Sequence, residues 1–274
     1  MHNTEYYLQN NGDLYWGEFS HFARTGLVKH GFSTRRGGVS AAPFASLNLG
    51  LHTGDAVTDV QENRRRYCAA FGLDAAKAVT AEQIHGDSIA VVTARECGRG
   101  ALLYETAVPQ TDALITNIPD LPLLIFYADC VPVYFLDPEH KAIGVAHAGW
   151  KGTVAQIAQK TLKLLTKQFG TRPQNCLVAV GPSIGPCCYE IDQFVHDKIH
   201  AAFTQPEKLL QKTATGKWKL DLWAANRQQL EGIGVPAQNI VVAGVCTSCN
   251  THMYFSYRAE HGKTGRMGAL MSIT

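Results

Sequence analysis

No stretch of this sequence approaches the roughly 18 consecutive apolar residues that a membrane-spanning helix needs. The opening "MHNTEYYLQNNGDLYW" also lacks a basic start followed by an apolar block, so no secretory signal is expected and a cytoplasmic location is. Charge of one sign is missing too: 25 Lys and Arg stand against 23 Asp and Glu, a formal net charge of +2. That balance gives neither nucleic acid nor an anionic membrane surface an electrostatic footprint. Low-complexity tracts, Pro/Gly-rich linkers and internal repeats are absent as well, and one domain spanning 1–274 is expected. Recognition is therefore local, at a site, in a monomer or small homo-oligomer.

What is present is a well-stocked core and an unusual number of thiols. Hydrophobic residues make up 46% of the chain, with eight cysteines and 11 histidines. In a reducing compartment eight cysteines are free thiols rather than a disulfide framework, so some of them are open to service as ligands or nucleophiles.

Short apolar runs recur along the chain: "DALIT" (112–116), "LPLLIFY" (121–127), "VPVYFL" (131–136), "AIGVAH" (142–147), "CLVAVG" (176–181) and "NIVVAGV" (239–245). Their length and β-branched content predict strands. Helical periodicity predicts a helix within "TVAQIAQKTLKLLTKQFG", with Thr153 as N-cap, Gly170 as stop, and Val154, Ile157, Thr161, Leu164 and Leu165 on one face. Two further helices are expected near 59–71 and 222–231. Strands and helices alternate irregularly and some strands need tight turns, which favours an α+β mixed sheet over a doubly wound parallel one.

One hairpin carries chemistry. In "YADCVPVYFLDPEHKAIGVAHAGWKGT" (127–153), Asp137 and Pro138 suit the first two positions of a type I turn. A four-residue loop would pair Leu136 with Lys141, every further pair would sum to 277, and Cys130 would face His147. Directly opposed residues hold their Cβ atoms about 4.5–5.5 Å apart on one face. A thiol beside an imidazole can bind a soft or borderline metal such as zinc or copper. It can equally be a nucleophile with its base. The glycine and helix start in "HAGWKGT" favour either use over plain packing. His85, in "TAEQIHGDSIAVV", is the best-placed further histidine, although spacing alone does not join it to the pair.

The remaining cysteines read as ordinary. "CTSC" (246–249) has ligand spacing but no second such pair, the side chains of adjacent Cys187 and Cys188 are expected to diverge, and Cys68 reads as core.

With these residues in view, the chain resembles the YfiH/YlmD-like proteins, also called laccase-domain or multicopper polyphenol oxidase-like proteins. "HGFSTRRGGVS" (30–40), "SLNLGLHTGD" (46–55), "EQIHGD" (82–87), "TDALIT" (111–116), "ADCVPVYFLD" (128–137), "VAHAGWKGT" (145–153), "GPSIGPCCYEI" (181–191) and "RAEHGKTGRMGAL" (258–270) follow that family's motifs in order. The resemblance implies a four-layer α/β/β/α mixed-sheet sandwich and a mononuclear metal site of His85, Cys130 and His147. It also implies a zinc-dependent transferase and hydrolase that phosphorolyses adenosine, inosine, guanosine and methylthioadenosine and deaminates adenosine. Purine nucleoside and phosphate would be its small-molecule partners.

Three alternatives stay open: a cysteine hydrolase editing cytosolic peptidoglycan precursors, a copper-dependent polyphenol oxidase (an oxidoreductase of laccase type), and a non-catalytic metal-binding partner protein. The second is poorly served by a chain without His-x-His pairs. Three protein ligands leave one position open, the pattern of a catalytic zinc. Arg35 with Gly37 and Gly38, and Arg258 with Arg266, are candidate phosphate cradles, unless they are simply solvated. Gln83 and Asp112 are candidates to orient ligands or substrate. Asn48 is a turn former or a substrate contact, and Tyr189 a candidate to stack on a base.

Overall fold

A computed structural model describes residues 5–274; the first four residues of the polar opening stretch lie outside the described residues. The chain builds three sheets. The first has five antiparallel strands in the order β1 (Tyr6–Asn11), β2 (Leu14–Phe19), β3 (Val28–Ser33), β14 (Met267–Ile273), β6 (Leu123–Tyr127). The second is mixed, with six strands: β13 (Ile240–Val242), β9 (Leu177–Val180), β7 (Val131–Asp137), β8 (Ala142–Ala148), β5 (Ala113–Thr116), β4 (Ile89–Val91). Its outer pairs β13–β9 and β4–β5 are parallel and its inner pairs antiparallel. A small third sheet orders β10 (Glu190–Asp192), β12 (Lys217–Leu220) and β11 (Leu210–Ala214).

Helices α1 (Ser20–Ala23), α2 (Val57–Ala69), α3 (Trp150–Val154), α4 (Ile157–Phe169), α5 (Gln193–Ala202) and α6 (Leu222–Gly232) complete the α+β fold that the irregular alternation predicts. Among the described residues no helix is long and apolar enough to cross a membrane.

Alternation along the strands divides the core. Leu123, Ile125 and Met271 of the first sheet pack against Tyr134, Leu136 and Val145 of the second. The opposite face of the second sheet, with Val133, Phe135 and Ala146, meets Ile157, Leu162 and Leu165 of α4. The opposite face of the first sheet, with Leu124, Phe126 and Leu270, meets Tyr67 and Cys68 of α2. Every residue of β7 and β8 is buried. Each large apolar side chain there contributes roughly 1.5–3 kcal/mol, so the hairpin that carries Cys130 and His147 is among the best-anchored parts of the molecule.

Two local expectations are corrected. The hairpin register sums to 279 rather than 277: Asp137 pairs with Ala142, and Pro132, not Cys130, faces His147. Asp137 stays in the strand, and its carboxylate accepts the amides of Glu139 (2.9 Å) and His140 (3.2 Å). Lys141 takes a left-handed φ of 48° and joins the loop. Because the shift is two residues, parity survives, and Cys130 remains on the face of His147 one diagonal step away. The predicted long helix is broken: Gln156, at φ 64°, separates α3 from α4, so Thr153 lies inside α3 instead of capping, while Gly170 does end α4 at φ 80°.

Candidate functional site

Asp112 precedes β5 and is fully buried. Its carboxylate accepts the backbone amides of Ile84 (3.2 Å), His85 (3.0 Å) and Gly86 (2.7 Å). Those three bonds hold the loop at His85 in a left-handed conformation, φ 61°, which a non-glycine residue adopts at a cost. The same carboxylate lies 2.8 Å from Nδ1 of His147. Asp112 thereby keeps a proton on Nδ1, so a cation that displaces the proton on Nε2 meets a ring already oriented by a carboxylate, as ligating histidines are.

His147 is buried near the end of β8, Cys130 is half-buried just before β7, and His85 is exposed on its loop. One donor atom from each lies within 4.8 Å of the others. Burial pushes the Cys130 thiol up, but His147 and then His85 outweigh it and bring it down to about 6. Burial likewise pulls His147 down, and the Cys130 thiolate with Asp112 raises it to about 9. A thiolate at neutral pH is the form that both a metal ligand and a nucleophile require.

The donor set suits a cation on two further counts. Two imidazoles and a thiolate match zinc or copper in softness. A Cβ placed at Gly149 would come 3.0 Å from Cys130 Sγ and 3.5 Å from His85 Cδ2, so the glycine keeps the centre of the cluster open.

The cluster forms part of the wall of a cavity of about 460 Å³, inside the roughly 300–1,000 Å³ of small-molecule clefts. Aromatic rings of Tyr104, Phe126, Tyr189 and Tyr257 line it, with the guanidinium-bearing Arg258 and Arg266. Arg258 lies over Tyr189 at 5.2 Å and Arg266 over Tyr257 at 5.7 Å. His52 also faces the cavity; burial first, then Arg266 and Arg64, depress it to about 4, leaving it neutral.

A second carboxylate organises this side. Asp129, buried and at φ 82°, accepts from Thr247 Oγ1 (2.6 Å), Ser256 Oγ (3.0 Å) and the Arg258 amide (2.7 Å).

Of the residues singled out in the sequence, His85, Cys130, His147, Gln83, Arg258, Arg266 and Tyr189 line the cavity, and Asp112 stands behind it. Gln83 exchanges two hydrogen bonds with the Phe126 backbone, at 2.8 and 2.9 Å, and so fixes that ring's position. Two residues are placed elsewhere. Arg35 is bound by the carbonyls of Ala45 (3.0 Å) and Thr251 (2.8 Å) and by Glu260 (3.0 Å), and lines a different depression with Gly37 and Gly38. Asn48 is fully buried, and its Oδ1 accepts the amides of Gly50 (3.0 Å) and Arg266 (2.8 Å). It positions the Arg266 backbone rather than touching the cavity.

His52, Tyr104, Phe126, Asp129 and Tyr257 were not singled out in the sequence. His52 and Asp129 did carry a signal, since they stand inside the motif blocks 46–55 and 128–137.

A family model described as "Multi-copper polyphenol oxidoreductase laccase" matches residues 29–274. The purine nucleoside phosphorylase YlmD of Geobacillus stearothermophilus is 44% identical over 243 residues, covering 88% of each chain. The purine nucleoside phosphorylase YfiH of Escherichia coli is 34% identical over 246 residues, 87% of this chain and 91% of that one. Among solved structures, the Bacillus licheniformis hypothetical protein YfiH superposes with a TM-score of 0.92 at 38% identity, over 97% of this chain and 99% of its own. Sequence and fold agree, and the chain belongs to the YfiH/YlmD family of laccase-like domain proteins.

Proposed function

We propose that this protein is a zinc-dependent purine nucleoside phosphorylase that also deaminates adenosine, with adenosine, inosine, guanosine and methylthioadenosine as its nucleosides. The observation that carries the reading is the meeting, in one cavity, of a three-donor cluster, aromatic walls and two arginines. The phosphorylase names of relatives from Geobacillus and Escherichia support it. Zinc held by His85, Cys130 and His147 would supply a Lewis acid with one position left open.

The chain's own residues do the rest. Asp112 keeps the His147 proton on Nδ1 and the His85 loop in place. Arg258 and Arg266 offer charged donors to inorganic phosphate. The aromatic rings accept a purine face. In phosphorolysis a phosphate oxygen bonds to C1′ as the C1′–N9 bond breaks, and the purine leaves with the bonding pair and takes up a proton. The neutral imidazole of His52 is a hydrogen-bonding group on the same wall, not a charge.

A second reading rests on a specific geometry. Cys130, His147 and Asp112 form a thiolate, imidazole and carboxylate series like that of a cysteine hydrolase, for which a peptidoglycan precursor would be the acyl substrate. His85 has no part in that series but completes the donor set, which favours the metal.

Product analysis with inosine or adenosine plus phosphate, with and without chelator, separates the two. Free purine base and ribose 1-phosphate, lost on chelation and restored by zinc, support the phosphorylase. Chelator-insensitive hydrolysis of a peptidoglycan precursor, destroyed by alkylating Cys130, with no base released from nucleoside, supports the hydrolase. Oxygen uptake with a phenol only after copper loading would move the site to oxidation.

A further inference from the structure

Four thiols outside the cavity converge on one point. Cys187 and Cys188 follow β9 on the loop 181–189, and Cys246 and Cys249 follow β13 on the loop 243–250. Their Sγ atoms all lie within 4.8 Å of one another, with Cys249 at 3.5 Å from Cys187 and 3.3 Å from Cys188. The side chains of the adjacent pair therefore do not diverge as expected; both turn to Cys249.

Parallel pairing of β9 with β13 brings the loops together. A bridge between Ser183 and Cys246 continues it, with the Ser183 amide donating to Val245 O (3.2 Å) and the Thr247 amide to Ser183 O (3.0 Å). The second partner of "CTSC" is thus a Cys-Cys step some sixty residues away, which no local spacing rule detects.

We propose that Cys187, Cys188, Cys246 and Cys249 form a closed tetrathiolate site for a zinc-class divalent cation, whose role is to fix one wall of the cavity. Four thiolates suit zinc, and a closed set of four protein ligands is the structural kind. Zn–S bonds of about 2.3 Å give a tetrahedron with edges of about 3.8 Å; the two Cys249 contacts need to open by only a few tenths of an ångström, and every other pair lies within 4.8 Å. The Gly185 amide donates to Cys246 Sγ at 3.2 Å, which offsets thiolate charge as groups around metal ligands do. Cys246 is buried while Cys187 and Cys249 are exposed, so an ion can enter from solvent. Binding releases the thiol protons, and uptake strengthens as pH rises.

The stapled loops bear on the cavity directly. They carry Ile184 and Tyr189, which line it, and Thr247, which holds Asp129. The Ile184 amide also donates to Asp129 O at 2.9 Å.

The test uses the intact reduced chain, stripped of metal and titrated with zinc, with X-ray absorption reading the sulfur count per metal. Two equivalents are expected, averaging about 2.5 sulfur ligands, one from Cys130 and four from the loops. His85→Ala with Cys130→Ala should keep one equivalent with four sulfurs, and Cys249→Ser should lose that equivalent. In Cys249→Ser the KM for nucleoside should rise more than kcat falls.

One equivalent with four sulfurs in the unmodified chain would uphold this site while removing the proposal for the cavity. One equivalent with a single sulfur overturns the tetrathiolate site, whatever the fate of the Cys249 variant. So does a native mass lowered by disulfide formation among these four cysteines, measured after thiol trapping at lysis.

Discussion

The molecule carries two convergent donor clusters that differ in every property deciding what a cation does there. At the cavity, two imidazoles and one thiolate are held by a central hairpin and a loop clamped by Asp112. On the loops after β9 and β13, four thiols are held by backbone pairing, by the Gly185 amide at Cys246 and by the bonds of Ile184 and Thr247 to Asp129. Around a dication the first set leaves net positive charge and an open coordination position, which polarises a substrate. The second set leaves net negative charge and no opening, which binds firmly and reacts little. On the proposed reading, ligand count, charge and anchoring would separate a site of chemistry from a site of structure within one chain.

The comparison breaks most completely at the cavity. Cys130→Ala or His147→Ala should abolish phosphorolysis and remove one equivalent of zinc while the second remains, read by product chromatography alongside metal analysis. Asp112→Asn keeps the shape but replaces the charge that orients His147; it should lower activity or metal affinity by about 10–100-fold. Truncating Arg258 or Arg266 to Ala should raise the KM for phosphate by about 10–100-fold with zinc content unchanged, since a charge-assisted hydrogen bond contributes about 1.5–3 kcal/mol.

Gly149→Ala sharpens the contrast more gently. Its new Cβ would press on Cys130 Sγ at 3.0 Å, an overpacking of about 1–3 kcal/mol. It should weaken zinc at the cavity and leave the thiolate loops untouched, as competition with a chromophoric chelator would show.

The smallest effect concerns the scaffold that both clusters share. His30 is buried, lies 2.8 Å from the Phe19 amide as its acceptor, and is depressed by burial, then by His21, to about 3; burial holds His21 itself at about 4. An unfolded histidine titrates near 6.5. Below that pH the unfolded chain binds protons that the folded chain refuses, so stability falls as pH drops from about 6.5 toward 4. Melting in chelator at pH 7.5 and pH 5 should show the loss without any contribution from either metal. An unchanged melting temperature would remove these histidines from the account.

The strands were legible because length and β-branched content mark them, and the hairpin was legible because Asp137-Pro138 announces a turn. Its register was not, since Asp137 serves as strand residue and cap at once, and Lys141 enters a left-handed conformation that its type does not advertise. Cys130 and His147 survived the error because a two-residue slip preserves the face. His85 was marked by its place ahead of an apolar run and joined to the pair only by the resemblance. Asp112 was offered as an orienting group, and the structure adds the link between them: one carboxylate serves the His85 loop and the His147 ring together. Arg35 was open to phosphate but braces the backbone, and of the two readings of Asn48 the turn former is the one the structure bears out, because a polar residue among apolar neighbours looks the same in either role. Asp129, His52 and the thiol cluster depend on contacts across the fold that no spacing along the chain contains.

If the cavity cluster holds a metal that the chain uses on a purine nucleoside, turnover must follow the metal. The most direct measurement is inosine plus phosphate turnover by protein stripped with chelator and then reloaded with two equivalents of zinc, enough for both clusters. Hypoxanthine and ribose 1-phosphate absent from the stripped protein and regained on reloading, with no recovery in His147→Ala, is the predicted result. Stripped protein that still turns over at full rate, or reloaded protein that releases no base, would contradict it.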